Sequence, residues 1–240
     1  MRLALHNYID VQEYLKRKKS IIIPIGSTEQ HSPVGLIGTD HLIAESIAYE
    51  VGNKTNTYVA PTISYGMSNH HMAFPGTISL NPTTLICVVK DVLMSLYAHG
   101  FSKFYFLNGH GGNISSVDSA FSEITRDIDI TCKIISWWTH PEISELKQKL
   151  FGTSDGHHAT PTEISITIFL YKELFSKEMK RFNVEHPKYN WPLSPRDFKN
   201  YFPDGRMESD PSLANYEHGK LIFNRSVEVI TNDLVSFDNN

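Results

Sequence analysis

The sequence has few cysteines, no long apolar segment and little net charge, and each shortage excludes a class of protein. Two of the 240 residues are cysteine, Cys87 and Cys132, and no CxxC pair is present. We therefore expect neither a disulfide framework nor a cysteine-based zinc site, and apolar neighbours predict that both thiols are buried. No segment approaches the roughly 20 apolar residues of a membrane helix. Because residues 1–14 already include acidic residues, which a signal peptide avoids, we expect a cytoplasmic protein without membrane contact.

The charge of the chain is nearly balanced. Lysine and arginine number 22 against 26 aspartates and glutamates, for a formal net charge of −4. So small a charge predicts no binding to nucleic acid. Hydrophobic residues make up 40% of the chain, which is enough for an ordinary core. Because no repeat, low-complexity segment or linker interrupts the sequence, residues 1–240 are predicted to form a single domain.

Alternating apolar runs and helical patterns predict an α/β fold. Residues 20–25 (Ser-Ile-Ile-Ile-Pro-Ile) are typical of a strand buried on both faces. We predict strands at 20–25, 58–60, 103–107 and 133–137, with helices at 40–51, 82–99 and 114–127 between them and a short helix from the cap Asp10 through Lys19 before the first strand. This order predicts three layers, α/β/α, around a mostly parallel central sheet. Later helices are expected at 161–174 and 218–237, and surface loops at 183–212.

Three acidic or imidazole side chains follow the first predicted strand, and ligands bind beyond the carboxyl ends of the strands in such sheets. Glu29 and His31 are two residues apart, so in an extended chain their side chains point to the same side. Asp40 begins the next helix. Together the two carboxylates and the imidazole suit one or two divalent ions. Taken singly, Glu29 and His31 are equally consistent with an exposed polar loop, and Asp40 with a helix N-cap.

A glycine-rich turn, Gly109-His110-Gly111-Gly112, follows the third predicted strand. Such a turn before a helix can bind phosphate. However, the dinucleotide fingerprint requires glycine where Ile114 stands, and the Gly-Lys-Ser/Thr ending of a P-loop is absent. We therefore interpret His110 as a ligand, with the glycines letting backbone and substrate approach closely.

A capping box precedes the helix predicted at 161–174. Thr160-Pro161-Thr162-Glu163 has the spacing of this motif, with proline at the first helical position. By itself, Glu163 is therefore more simply a helix cap than a metal ligand. His157 and His158 directly precede the motif and are within reach of a nearby site.

Two further pairs of side chains are candidates for a site. His70 and His71 lie in a polar loop that is either surface or faces a substrate. Trp137 and Trp138 follow the fourth strand. One tryptophan is expected in the core and the other in the wall of a pocket.

The ordered set of these motifs resembles the creatininase family of metal-dependent amidohydrolases, from about residue 20 to 235. The set comprises Gly26-Ser-Thr-Glu-Gln-His31 with Gly38-Thr-Asp40, Phe74-Pro-Gly-Thr77, Asn108-Gly-His-Gly-Gly-Asn113, His158-Ala-x-x-x-Glu163, and Asp210-Pro-Ser-Leu-Ala214 with Gly219. Each motif is short, but their order along the chain is specific. The resemblance implies a creatininase-like fold and an enzyme that hydrolyses carbon–nitrogen bonds other than peptide bonds.

The resemblance also implies a binuclear metal centre. Asp40 would bridge two divalent ions, Glu29 and His110 would complete one, and His31 would help to hold the other. A water activated by the cations would attack an amide or formamide carbonyl, and His158 would act as general acid and base at the departing nitrogen. Zinc is expected, with manganese or iron as alternatives, because a nitrogen and oxygen ligand set admits all three. A small-molecule substrate and a homohexamer are implied as well.

Three departures from creatininase bear on the substrate. Gly112 stands where creatininase has a glutamate, so we take Glu163 as the replacement carboxylate ligand. Ser154 stands where creatininase has a tryptophan, and Val34 stands where many members have the second histidine of a His-Gly-Pro-His segment. The predicted metal ligands are all present in the sequence, but the three departures argue against creatinine itself as the substrate. The prediction is therefore a small cyclic amide or a formamide.

The predicted substrate-binding residues are His70, His71, Gly111, Gly112 and Trp138. Two alternatives stay open: a deformylase of the formylaminopyrimidine type, and a metal- or ligand-binding member of the fold that has lost catalysis. His158 argues against lost catalysis, because a metal store has no use for a proton donor beside the site. Ile114, which stands where the dinucleotide fingerprint requires glycine, argues against a phosphate- or nucleotide-binding domain.

Overall fold

Four parallel strands form the central sheet in a computed structural model that describes residues 1–175 and 180–239. They are β1 (Ser20–Ile25), β2 (Tyr58–Val59), β3 (Lys103–Asn108) and β4 (Thr131–Ser136), in the order β2-β1-β3-β4. Ile25 at the end of β1 pairs with Asn108 of β3, which pairs with Ser136 of β4. These three strands therefore end level with one another, and the segments that follow them share one edge of the sheet.

The described residues include eight α-helices. They are α1 (Tyr8–Leu15), α2 (Thr39–Thr55), α3 (Pro82–Ala98), α4 (Ile114–Ile124), α5 (Pro141–Phe151), α6 (Pro161–Leu170), α7 (Pro195–Tyr201) and α8 (Tyr216–Asn239). Short 3₁₀ turns lie between several of them, including Asn69–His71 and Lys172–Leu174.

Helices cover both faces of the sheet, which confirms the predicted three-layer α/β/α fold. On one face α1, α3 and α4 pack around Phe104 and Phe106 of β3. On the other face α2, α5, α6 and α8 pack around Tyr105 and Leu107. Successive residues of a strand point to opposite faces, so β3 contributes to both cores. All six residues of β1 are buried, as its unbroken apolar run predicts.

Two helices are absent from the sequence prediction. Both α5 and α7 begin with a proline directly after a capping residue, which is a typical helix start, but the polar composition of these segments hides it. Residues 183–212 are therefore not surface loop throughout, because Phe198 of α7 is fully buried. The helix predicted at 161–174 ends at Leu170 instead.

The prediction of two buried thiols is wrong. Cys87 is exposed and Cys132 is only partly buried. Cys87 lies on the outward face of α3, and Cys132 lies on β4, which has a neighbouring strand on one side only. Within residues 1–175 and 180–239, no helix is long and apolar enough to span a bilayer.

Candidate metal centre and active site

Two glycines allow the start of α2 to contact the ends of β1 and β3. A β-carbon on Gly26 would lie 2.4 Å from His41 N, and one on Gly109 would lie 2.1 Å from Asp40 O, whereas real β-carbons stay beyond 3.0 Å. No side chain fits at either contact, so Asp40 is held at the edge where both strands end. Gly38 is the N-cap of α2, and the alternative of Asp40 as the cap is therefore wrong.

Asp40 lies between two imidazoles. Its Oδ1 is 3.0 Å from His31 Nε2, and its Oδ2 is 3.2 Å from His110 Nδ1. His110 Nδ1 is also 3.3 Å from Glu29 Oε1. All four side chains are buried. The structure therefore brings together four of the predicted ligands from three separate segments of the chain.

The arrangement contains two candidate metal positions that share Asp40. Glu29, Asp40 and His110 offer ligand atoms that all lie within 4.8 Å of one another, and so do His31, Asp40 and Glu163. This is the division of ligands that the resemblance implies, with Asp40 as the bridge. The ligand roles themselves stay predictions.

Several polar atoms at the centre of this cluster lack hydrogen bonds. Among the described residues, Glu29 Oε1 and Oε2, His31 Nε2 and Asp40 Oδ2 are buried without a hydrogen-bond partner. The approach of His31 to Asp40 is short enough for an ion pair but lacks hydrogen-bond angles. Buried carboxylate oxygens left in this way are costly unless a cation binds them. Two atoms that bind one zinc ion at about 2.1 Å in tetrahedral geometry lie about 3.4 Å apart, so the observed spacings fit divalent metals.

The cluster attracts positive charge. Burial disfavours the charged form of His31, but the Asp40 carboxylate outweighs burial and raises the His31 pKa to about 9. Burial also opposes charge on His110, yet Glu29 and Asp40 raise the pKa of His110 well above its usual value. In turn, burial favours the neutral form of Glu29, but His110 and His71 hold its pKa well below the usual range. Metal binding therefore competes with protons on these imidazoles.

His110 and His158 each have one ring nitrogen fixed by a backbone carbonyl. His110 Nε2 is 3.0 Å from Met67 O, and His158 Nε2 is 2.7 Å from Gln30 O. Because a carbonyl only accepts, each Nε2 donates its proton and Nδ1 is left to face the cluster. His158 Nδ1 is 3.6 Å from Glu29 Oε1. Burial and the neighbouring His31 lower the pKa of His158 to about 3, so its ring is neutral and the lone pair of Nδ1 faces the cluster. His158 also belongs to a third group of possible metal ligands.

Glu163 is both a helix cap and a member of the cluster. Its Oε2 accepts hydrogen bonds from Thr160 N and Thr160 Oγ1, both at 2.9 Å, and Glu163 N donates to Thr160 Oγ1 at 3.1 Å. A carboxylate oxygen of Glu163 also lies within 4.8 Å of the ligand atoms of His31 and Asp40. The capping role and the candidate ligand role, which are alternatives in the sequence, are compatible in the structure.

Gly112 has no room for the glutamate that creatininase carries at this position. A β-carbon there would lie 2.3 Å from Met67 O and 2.5 Å from His110 Nε2. The carboxylate predicted for the second metal position therefore comes from another segment. Glu163, at the start of α6, stays the predicted source.

A cavity of about 740 Å³ opens beside the cluster. Its lining includes every predicted substrate-binding residue, namely His70, His71, Gly111, Gly112 and Trp138. Both histidines are buried, so the alternative that places them on the surface is wrong. Trp137 belongs to the core, and Trp138 packs against it and forms part of the wall. Contact of these residues with a substrate stays a prediction.

Sequence reasoning missed Gln30, although it stands between two predicted ligands. Its side-chain amide donates to His71 Nδ1 and to Gly205 O, each at 2.9 Å. His71 consequently turns Nε2 towards Glu29 Oε1, 3.4 Å away. Gln30 therefore connects the end of β1 to two loops that are distant in sequence, and only its position between Glu29 and His31 pointed to such a role.

Three other cavity residues come from segments that the sequence left without a role. Tyr189 and Trp191 belong to the stretch predicted as surface loop, and Lys147 belongs to the unpredicted helix α5. No local motif marks them, because they reach the site through the packing of α5 and of the segment before α7.

Known proteins are similar to the chain in sequence and in fold. The creatininase family model, described as creatinine amidohydrolase, matches residues 4–234. The chain is 28% identical over 210 residues to 3-dehydro-scyllo-inosose hydrolase of Thermotoga maritima, covering 85% of the chain but only 63% of that relative. It is 26% identical over 228 residues to creatinine amidohydrolase of Pseudomonas putida, covering 88% of the chain and 86% of the relative. A manganese form of creatininase superimposes with a TM-score of 0.87 at 22% identity, covering 100% of the chain and 99% of that structure, which shows a common fold.

Proposed function

The chain belongs to the creatininase family, and from this membership and the buried cluster we propose that it is a metal-dependent amidohydrolase. Its reaction is hydrolysis of a carbon–nitrogen bond, other than a peptide bond, in a small cyclic amide or a formamide. The observation that carries this proposal is the set of buried, unpaired polar atoms on Glu29, His31 and Asp40. A divalent cation bound among these atoms would offset the cost of burying them, in place of the protons that the raised pKa values of His31 and His110 favour.

Two divalent ions would be held by the five clustered side chains. Glu29 and His110 would complete the first position, His31 and Glu163 the second, and Asp40 both. Zinc is the first choice, with manganese or iron as alternatives, because all three accept nitrogen and oxygen ligands. When bound, such ions act as Lewis acids on a carbonyl oxygen and lower the pKa of a water molecule.

His158 would carry the proton. Its Nε2 is held by Gln30 O at 2.7 Å, so Nδ1 is the atom that accepts a proton and passes it to the departing nitrogen. General acid–base groups of this kind contribute typically 10²- to 10⁴-fold to the rate. The glycine turn at Gly111 and Gly112 leaves the cavity open beside His110, and Trp138 provides an apolar wall for the substrate.

Further properties are proposed on the resemblance. We propose a small-molecule substrate, a single domain over residues 1–240, a homohexamer and a cytoplasmic location. The two cysteines are unpaired, which agrees with a reducing compartment. A deformylase of the formylaminopyrimidine type is the alternative within the same chemistry, and a non-catalytic metal-binding member is the alternative outside it.

Metal analysis of the purified protein tests the centre. We expect about two divalent ions per chain if both positions fill, and the loss of both in Asp40→Ala because the two positions share this carboxylate. Asp91→Ala is the matched control, since Asp91 is exposed on α3 and its removal should leave the metal content unchanged. Full metal content in Asp40→Ala would contradict the bridging role.

A substrate panel tests the reaction. The metal-loaded protein is assayed with creatinine, lactams, hydantoins, simple formamides and a formylaminopyrimidine. Hydrolysis of a cyclic amide or formamide that is lost in Asp40→Ala supports the proposal, and hydrolysis of the formylaminopyrimidine alone selects the deformylase. Two bound ions without turnover of any compound would favour the non-catalytic alternative.

A further inference from the structure

The cavity is larger than the substrate class requires. Its volume of about 740 Å³ lies within the roughly 300–1,000 Å³ of sites that bind drug-sized ligands, whereas a single five- or six-membered ring fills a small part of it. A second cavity of about 380 Å³ lies next to it, and three residues, Lys147, Gly156 and His157, line both. A substituent on the substrate would therefore be directed past these residues.

Lys147 is the one lysine or arginine that lines the larger cavity, as far as the described residues go. It forms an ion pair with Asp155, whose Oδ2 lies 3.3 Å from Lys147 Nζ. The other carboxylate oxygen of Asp155 accepts from Thr162 N at 3.2 Å and from Thr162 Oγ1 at 2.5 Å. The carboxylate is thus attached to the first turn of α6, the helix that carries Glu163, and its partner Lys147 lines the same cavity as Glu29 and Asp40.

The Lys147 ammonium retains capacity to bind a ligand. An ammonium has three N–H donors, and within residues 1–175 and 180–239 its one ion pair is with Asp155. The side chain is 21% exposed, and its exposed part faces the two cavities. A partly buried charge of this kind interacts with an opposite charge more strongly than a surface lysine does.

We propose that Lys147 binds a carboxylate of the substrate, so that the preferred substrate is a cyclic amide or formamide that bears a carboxylate group. The proposal rests on the proposed amidohydrolase function and adds the substrate class. A carboxylate is favoured over a phosphate, because the single ammonium lies beside Asp155 and the second cavity also contains Glu208. A second negative charge on the ligand would be repelled by these two carboxylates.

Matched substrates test the proposal on the metal-loaded enzyme. The first set contains a ring that bears a carboxylate, its neutral carboxamide and the parent ring, namely hydantoin-5-acetic acid, hydantoin-5-acetamide and hydantoin. The second set pairs an acyclic formamide that bears a carboxylate, N-formylglycine, with its neutral carboxamide, N-formylglycinamide. Values of kcat and KM are measured for the native chain, Lys147→Gln, Lys147→Arg and the control Lys149→Gln. Lys149 is exposed on the same helix and lines neither cavity, so its substitution removes the same charge without touching the proposed site.

The native enzyme should prefer the acid over its carboxamide by about tenfold or more in kcat/KM, the ratio that 1.4 kcal/mol corresponds to. Lys147→Gln should abolish this preference mainly through KM for the acid, Lys147→Arg should restore most of it, and Lys149→Gln should keep it. A purely structural role for Lys147 would lower activity on acid and carboxamide alike and would overturn the proposal. Because the native preference is measured without any variant, poor folding of Lys147→Gln does not prevent the test.

The outcomes distinguish failure of the carboxylate-binding proposal from failure of the proposed amidohydrolase function. Turnover of neutral rings at least as fast as of their acids refutes the carboxylate site and leaves the amidohydrolase in place. Absence of turnover with every acid, amide and ring refutes both.

Discussion

Replacement of Gly109 by alanine is expected to separate α2 from the end of β3 and thereby to weaken metal binding. The added β-carbon would lie 2.1 Å from Asp40 O, and real β-carbons stay beyond 3.0 Å, so the backbones at residue 109 and at Asp40 have to separate by at least 0.9 Å (3.0 minus 2.1). Metal–ligand distances tolerate only about 0.2 Å. A shift of this size therefore takes the Asp40 carboxylate out of range of one or both ions.

The expected magnitudes follow from this displacement. Overpacking of a buried contact costs about 1–3 kcal/mol, which corresponds to a fall in Tm of about 2–12 °C for a chain of this length. Metal affinity should fall at least as much as when a supporting residue of a metal site is lost, about 10- to 100-fold. Differential scanning calorimetry measures the Tm, and competition with a chromogenic chelator measures the affinity.

Gly111→Ala is the matched control in the same turn. A β-carbon at Gly111 has no atom of the described residues within 4 Å, so this variant should keep both the Tm and the metal affinity of the native chain. Native metal affinity in Gly109→Ala would refute the argument that close backbone approach positions Asp40. Equal losses in the two variants would show that the turn is sensitive to any side chain, and not to this contact.

Three further outcomes are expected. Glu163→Gln should keep Tm nearly unchanged, because glutamine serves in a capping box, but should reduce the metal content from two ions to one; an unchanged content would leave Glu163 as a cap alone. His158→Gln should keep both ions and lower kcat by about 10²-fold or more, whereas a loss of metal would make His158 a ligand. In the folded chain at pH 8, iodoacetamide should modify Cys87 and spare Cys132. Burial raises the pKa of the Cys132 thiol to about 12, and only the thiolate reacts. Peptide mapping that finds Cys132 modified first would contradict this prediction.

Local sequence patterns predicted the framework of the fold. The apolar run at residues 20–25 and the apolar segment beginning at Lys103 gave β1 and β3 nearly to their observed bounds, because burial on both faces leaves a pattern that is readable from composition alone. The helices between them followed from periodicity and from breaks at glycine and proline. The parallel arrangement followed in turn, since strands that alternate with helices form such sheets.

The convergence of the cluster was also predictable to a useful extent. Glu29, His31 and His110 follow strands that end at one edge, and the register of β1 with β3 brings those ends level. What the sequence left open was the role of single residues. The capping-box motif around Glu163 predicts a helix cap. Its candidate role as a metal ligand is supported by its short distance to His31 and Asp40, which the structure supplies.

The sequence by itself therefore determined the strands, the layers and the polar residues at one end of the sheet, because these depend on burial patterns that repeat within a few residues. Tertiary structure alone decided the exposure of Cys87, the bridge from Gln30 to His71, and the arrival of Lys147 and Trp191 in the cavity wall. Each of these depends on how α5, α7 and the loops pack against distant segments. A short stretch of sequence does not predict such packing, since a polar or aromatic residue that lines a cavity has the same local sequence pattern as one on the surface.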